Sequence, residues 1–421
     1  MKLSNLKNIH PDGKIVFKNF SFLSLRRLFN IISQYILISF LVRTLGSETY
    51  GIFVWAFSII QYLVLTVNFG FNTYSARYIS ENRRNPEKTN QIFSAILTSK
   101  MILFSISTCL FLVFIYLSPV LYAHKGMMIV LLGFVLGEAL FPLWFFQGKE
   151  ILDTPVKIVF AFKLLLVVLT IILVSDSDDM IVYAILLSMS QLLIGMITLF
   201  FAVRKFNTRL ITVTISTIKK TLKEGSGFFV STLCTKSINL LVILIAGIYF
   251  TMQDVTSFDV SFKIIAAFLL PFETLSIALF PTIARTRDKK MNEKLIYLAC
   301  ILGVLMGLLA YWKAGFLLSI LGGQELLEYN FLLEALSILI PVGVITYFLG
   351  TNTLVAFGYS KEFNFSIIIP SIMYILILLI LWLMDSFTLT TIVYTRILVD
   401  LIIMVFRIGF AMKYKLIFSK I

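Results

Sequence analysis

Thr232, Thr235, Lys236 and Asn239 fall at i, i+3, i+4 and i+7 within a long apolar run, and that spacing places them on one face of a helix, with Lys236 near its middle. Three further apolar runs carry similar faces. Lys263 and Glu273 each lie within about 40° of Asp259 at 100° per residue. Arg27, Asn30 and Gln34 share a face with Ser33 beside them, and Gln61, Asn68 and Asn72 share another. A charged side chain at the centre of a membrane-crossing helix costs roughly 2.5 to 3.5 kcal/mol, so such residues face protein or water rather than lipid. The chemistry on offer is binding. The four faces can line one water-filled cavity whose cations suit an anionic head group.

Each residue has a plainer reading beside this one. Asp259 with Lys263, and Arg396 with Asp400, stand at i, i+4 and can neutralise each other; a pair of that kind can still line a cavity. Lys100 and Lys163 can snorkel along their stems, and Arg26 and Arg43 sit near helix ends, where interfacial anchoring explains them. Glu138 and Glu273 are candidates for coupling to a proton or sodium ion, because a buried carboxylate is readily neutralised. His10 and His124 are the only histidines and have no metalloprotease, phosphate-loop or nucleophile-elbow context. No catalytic residue, metal ligand or cofactor is expected. Cys109, Cys234 and Cys300 each fall inside an apolar run, which reads as small apolar packing rather than a disulfide framework or zinc site.

The elements that must position these residues are membrane helices. The chain has 421 residues, of which 59% are hydrophobic and 14% charged, far from the usage of a soluble domain. Stretches of about 20 apolar residues, the length that crosses the hydrocarbon core, occur near 25–45, 51–73, 92–118, 127–147, 156–174, 180–203, 225–250, 255–283, 294–320, 330–356, 363–384 and 388–412. An all-α polytopic protein of twelve transmembrane helices is therefore expected. Most Lys and Arg fall in alternate loops and the two tails, while the opposite loops, such as "SDSDDM", are acidic. The positive-inside bias puts both termini in the cytoplasm. It also accounts for most of the net charge of +14, so the basic balance does not argue for nucleic acid. The polar, basic first 20 residues and the long apolar run after them read as an uncleaved anchor rather than a signal peptide.

Residues 204–224 form the longest polar interruption. They divide the chain into an amino-terminal tail (1–24), a first lobe of six helices (25–203), a cytoplasmic linker (204–224), a second lobe of six helices (225–412) and a tail (413–421). Within the linker, Ile215, Ile218 and Leu222 oppose Lys219, Lys220 and Lys223, which suits either a helix lying on an anionic leaflet or a solvated connection. Matching features recur in order in the two halves, as in parallel repeats with a site between them. In "LVRTLGSETYGIF", Gly46 and Gly51 bracket a hairpin tip, where glycine tolerates the turn.

Several stretches together resemble the Wzx-type O-antigen flippases, in the polysaccharide-transporter branch of the multidrug/oligosaccharidyl-lipid/polysaccharide (MOP) superfamily. They are "LVRTLGSETYGIF" running to "VNFGFNTYSARYIS", "PLWFFQGKE", "GSGFFVSTL" running to "FKIIAAFLLPFETLSIALFPTIAR", and "GTNTLVAFGYSKEF". The resemblance extends over about residues 25–365, and "VTSFDVSF" departs from the family pattern beside Asp259. It implies a MATE-like V-shaped bundle of two six-helix lobes in the bacterial plasma (inner) membrane, with helices one, two, seven and eight around a cationic cavity. It further implies movement of an undecaprenyl-diphosphate-linked oligosaccharide from the inner to the outer leaflet by alternating access coupled to an ion gradient. Other glycan-assembly membrane proteins are possible partners. In such a cavity Lys236 and Lys263 would meet the diphosphate as point charges, with Asn, Gln and Ser side chains bonded to sugar hydroxyls. A drug or cation antiporter of the same superfamily is the nearest alternative, disfavoured by the lysines. A membrane-embedded glycan polymerase or ligase is a second, disfavoured by outer loops of roughly ten residues or fewer. A structural component of a glycan-assembly complex is a third, and it would leave the polar faces without a purpose.

Overall fold

Apolar runs interrupted by glycine, proline and short polar turns dictate long helices whose ends, rather than whose middles, carry the irregular backbone. The computed structural model describes residues 32–82, 85–206 and 208–417. Among the described residues every regular element is helical: α1 (Ile32–Leu45), α2 (Ser47–Asn68), α3 (Phe71–Glu81), α4 (Pro86–Leu117), α5 (Pro119–Ala123), α6 (Lys125–Leu140), α7 (Leu143–Lys149), α8 (Asp153–Leu173), α9 (Met180–Lys205), α10 (Ile215–Tyr249), α11 (Met252–Thr286), α12 (Lys289–Trp312), α13 (Ala314–Gly322), α14 (Asn330–Leu336), α15 (Leu339–Tyr347), α16 (Ser360–Leu383) and α17 (Leu389–Lys413), with a π-helical turn over Phe348–Val355. Ten helices among the described residues are long and apolar enough to cross a membrane, or eleven if Gln324–Leu336 and Leu339–Val355, bent by 42°, count as one span. The first expected crossing is described only from Ile32 onward, as the shorter apolar helix α1. Large apolar side chains stand exposed along α4 and α8, among them Leu110, Phe114 and Ile172, as lipid-facing surfaces require.

The structure departs from the expected spans where local chemistry breaks a helix. The second span ends at Asn68, because Phe69 and Gly70 both take positive φ (39° and 71°) before α3 begins. A Cβ on Gly70 would strike the Gly225 carbonyl and the Phe229 nitrogen of α10, so glycine there serves both the turn and the close approach. Pro142 separates α6 from α7. The polar stretch at 215–224 forms the first turns of α10 itself, a 35-residue helix, and Leu222 packs against a buried core rather than along a separate surface helix. Cys109 is exposed on α4, contrary to a packing role, whereas Cys234 and Cys300 are half-buried; all three are free thiols.

By their contacts the residues fall into two compact units, one containing Ile59–Thr232 and the other Ile38–Ser58 with Leu233–Ile421. In the first unit, Phe71, Ile79, Phe93, Trp144, Phe145 and Phe146 form a core in which none is more than 1% exposed. The "PLWFFQG" stretch is thus packing: Trp144 and Phe145 meet Phe93, and Gly148 lies against Ala76 and Ile79 of α3. Along α6 and α9, Gly137 and Gly195 leave no room for a Cβ against the facing backbone, and this close crossing brings the polar residues of the two helices together.

The second unit holds the "LVRTLGSETYGIF" hairpin, although that stretch lies early in the sequence. Gly46 takes φ 82° at the turn between α1 and α2. Gly51 is helical, so it is not a turn residue; a Cβ there would run into the Met252 carbonyl and the Thr256 hydroxyl of α11. Arg43, expected as an interfacial anchor, instead donates to the carbonyls of Ser319 (3.1 Å) and Ile320 (2.8 Å), and the Ser39 hydroxyl also donates to Ile320. These bonds satisfy the last carbonyls of α13 with a charge that suits a helix C-terminus. In return the Glu325 carboxylate accepts the Ser47 N–H at the start of α2 (3.1 Å), while the Thr256 hydroxyl donates to the Ser47 carbonyl.

Candidate functional site

The second unit gathers charged and polar side chains from α2, α10, α11 and α17. One turn separates Asp259 from Lys263 on α11, and the Lys263 ammonium donates to Asp259 Oδ2 at 2.5 Å. Tyr50, placed against α11 by the Gly51 contact, donates its hydroxyl to the same oxygen (3.0 Å) and accepts from Lys263 (3.0 Å). The result is a closed triangle whose charged members keep 15–21% of their side-chain surface exposed. On α17, Arg396 pairs with Asp400 at 2.9 Å, donates from Nε to Asn239 Oδ1 on α10 at 3.0 Å, and lies 5.7 Å from the centre of the Phe262 ring. Thr235, Lys236 and Asn239 are exposed along one face of α10. Among the described residues no carboxylate lies within ion-pair distance of Lys236.

The first unit builds a different arrangement. Lys100 on α4 is 1% exposed and does not snorkel; its ammonium donates to the backbone carbonyl of Glu138 at 2.8 Å. The Glu138 side chain accepts from the Gln191 amide of α9 (2.8 Å) and, at 3.5 Å, from the Asn68 amide of α2. Both oxygens therefore face amide donors, in a site shaped by the glycine crossing of α6 and α9.

Of the remaining residues singled out in the sequence, Gln34, Asn72 and Thr232 are exposed, and Gln61, Lys163 and Glu273 are half-buried. Arg26, Arg27, Asn30 and His10 lie outside the described residues. His124 stands between α5 and α6, where burial pushes its pKa below the usual imidazole value. Among the described residues no group of three or more His, Cys, Asp or Glu side chains is placed to hold a metal ion.

Arg407 was not legible as a structural residue. It is 7% exposed, donates to the Thr346 carbonyl (2.5 Å) and the Ser366 hydroxyl (3.1 Å), and its guanidinium fills the space where a Cβ on Gly350 would go. A π-turn such as Phe348–Val355 disturbs the regular carbonyl ladder, and Arg407 supplies donors at its edge. Positions 396, 400 and 407 continue one helical stripe, and that spacing was the available signal. Tyr50 carries no sequence signal as a partner of Lys263, because only folding brings residues 213 positions apart together.

Comparison with known proteins adds the family. The pattern of the polysaccharide biosynthesis protein family matches residues 16–287, well over half of the chain. The chain belongs to that family. A curated relative from Escherichia coli (strain K12), named "Putative O-antigen transporter", is 23% identical over 348 residues, 80% of this chain and 83% of the relative. A relative of the same name from Shigella dysenteriae is 26% identical over 66% of this chain and 70% of its own length. Among solved structures, the lipid II flippase MurJ in an inward closed conformation superposes with a TM-score of 0.73 at 12% identity, covering 94% of this chain and 88% of that one. An inward-facing multidrug resistance MATE family transporter of the MOP superfamily gives 0.68 at 14% identity, covering 91% and 92%. The polytopic, all-helical part of the expectation is therefore found among the described residues, with the architecture shared by MurJ and MATE proteins.

Proposed function

We propose that this chain is a flippase of the bacterial inner membrane that carries a lipid-linked polysaccharide repeat unit, an undecaprenyl-diphosphate-linked oligosaccharide, from the inner to the outer leaflet by alternating access of its two lobes. The carrying observation is Lys236, a lysine in the middle of a membrane-length helix, exposed and without an ion-pair partner among the described residues. Lipid does not tolerate that placement, whereas a wet groove for an anion explains it. Family membership and two relatives named for O-antigen transport support the choice of cargo. The physics is coherent: a diphosphate and a glycan cannot cross hydrocarbon unaided, while the polyprenyl tail can remain in it. In this reading Lys236 and Lys263 hold the diphosphate. Thr232, Gln34, Gln61, Asn68 and Asn72 serve sugar hydroxyls, Asn239 stands beside Lys236 at the head group, and Asp259 pairs with Lys263. Glu138 and Glu273 are the proposed positions for coupling to a proton or sodium ion.

The test is to delete the gene, extract undecaprenyl-linked intermediates, and ask in spheroplasts whether an impermeant lectin or glycosidase reaches them. Single repeat units shielded on the inside, and released by restoring the intact gene, are the expected result. Single units exposed on the outside would place the lost step at polymerisation or transfer and overturn the flippase reading.

A further inference from the structure

Asn239 offers an amide that can in principle accept or donate, and its neighbour removes the choice. Arginine carries five N–H donors and no acceptor. With Arg396 Nε 3.0 Å from the Asn239 side chain, the amide must turn its carbonyl toward the guanidinium; the opposite orientation would set donor against donor beside a residue that is only 8% exposed. Asp400 at 2.9 Å and the Phe262 ring hold Arg396 in place. The Asn239 NH2 therefore faces away from Arg396, on an exposed residue. Lys236 stands three positions earlier on the same face, at neighbour distance in a helix.

We propose that Arg396 is a positioning residue that fixes Asn239 as an outward donor, so that Lys236 and Asn239 together form a donor-only pair selective for phosphoryl oxygens. This rests on the flippase reading and deepens it by assigning a source of head-group selectivity. An ammonium and an amide NH2 match the acceptor-only oxygens of a diphosphate. They offer nothing to a cationic cargo, which would meet like charge and unanswered donors. The arrangement thus rejects the amine cargo of a drug antiporter as well as selecting an anion. Buried as it is, Arg396 acts through Asn239 rather than by touching cargo.

The test uses the purified full chain in lipid nanodiscs and compares binding of undecaprenyl diphosphate with that of undecaprenol. Wild type should prefer the diphosphate. Asn239→Asp keeps an oxygen toward Arg396, now as an ion pair, but turns a second carboxylate oxygen outward; thermal stability should hold while diphosphate affinity falls about tenfold or more. Arg396→Lys keeps a donor and should retain the preference within about threefold, whereas Arg396→Gln lets the amide flip and should lose about tenfold. Undiminished diphosphate binding by a stable Asn239→Asp protein overturns this inference and leaves the flippase reading standing. Should that variant not fold, equal preference in Arg396→Lys and Arg396→Gln overturns it instead. A wild type that binds both lipids alike overturns the flippase reading and this inference with it.

Discussion

In the first unit Lys100 commits its ammonium to a backbone carbonyl at 1% exposure, and the nearby Glu138 carboxylate is occupied by two amides. In the second unit Lys263 shares a carboxylate with Tyr50 while about a fifth of its side chain is exposed, and Lys236 is exposed with no ion pair among the described residues. Both clusters place charge within membrane-length helices, yet they solve the desolvation problem in opposite ways. The first surrounds its charges with fixed donors and acceptors inside a glycine-tight crossing. The second leaves hydrogen-bonding capacity facing outward, which is what a binding surface requires.

The difference can be broken most sharply on the carboxylates. Glu138→Ala keeps the carbonyl that Lys100 donates to but removes a nearby negative charge and leaves the Gln191 and Asn68 amides without their acceptor, and should cost about 2–4 kcal/mol, seen as a large fall in apparent Tm. Asp259→Ala should cost only about 1–2 kcal/mol, because Lys263 keeps the Tyr50 hydroxyl and access to water. Equal losses would dissolve the distinction between a tightly enclosed cluster and a partly exposed one.

Transport should show the reverse order. At matched protein level, Lys236→Ala should lower surface glycan about tenfold with normal insertion, and Lys236→Arg should retain some activity, since charge is kept but point-charge geometry is not. Surface glycan equal to wild type in the alanine variant would remove Lys236 from the site.

The smallest effect sharpens the triangle itself. Tyr50→Phe deletes one hydrogen-bonding hydroxyl shared by Asp259 and Lys263, and should reduce stability by about 0.5–1.5 kcal/mol. A measurable change in diphosphate affinity alongside it would show that Tyr50 also orients Lys263. An unchanged Tm would mean that Asp259 and Lys263 hold each other without it.

The polar faces were legible because helical periodicity is local: Lys236 with Asn239, Asp259 with Lys263, and Arg396 with Asp400 are each three or four residues apart. Partners on other helices were not. Glu138 could be read as a buried carboxylate, but not as the group that Lys100, Gln191 and Asn68 converge upon across three other helices. The family stretches were visible as patterns while their work was hidden. "PLWFFQG" turns out to be core, and "LVRTLGSETYGIF" is a set of caps and a close helix approach that also delivers Tyr50 to the charged cluster.

By itself, the sequence determined that this chain lives in a membrane as a bundle of helices, which way its polar stripes run, and where turns must interrupt it. Those properties follow from hydropathy, charge and a 3.6-residue period, all of which act over a few turns of chain. Tertiary structure alone decided which cations are spent and which remain available. The sequence presents both Lys100 and Lys236 as lysines inside apolar runs, Lys236 on a polar face and Lys100 without one. What separates them is whether another helix supplies a carbonyl at 2.8 Å to a buried ammonium or leaves the side chain exposed.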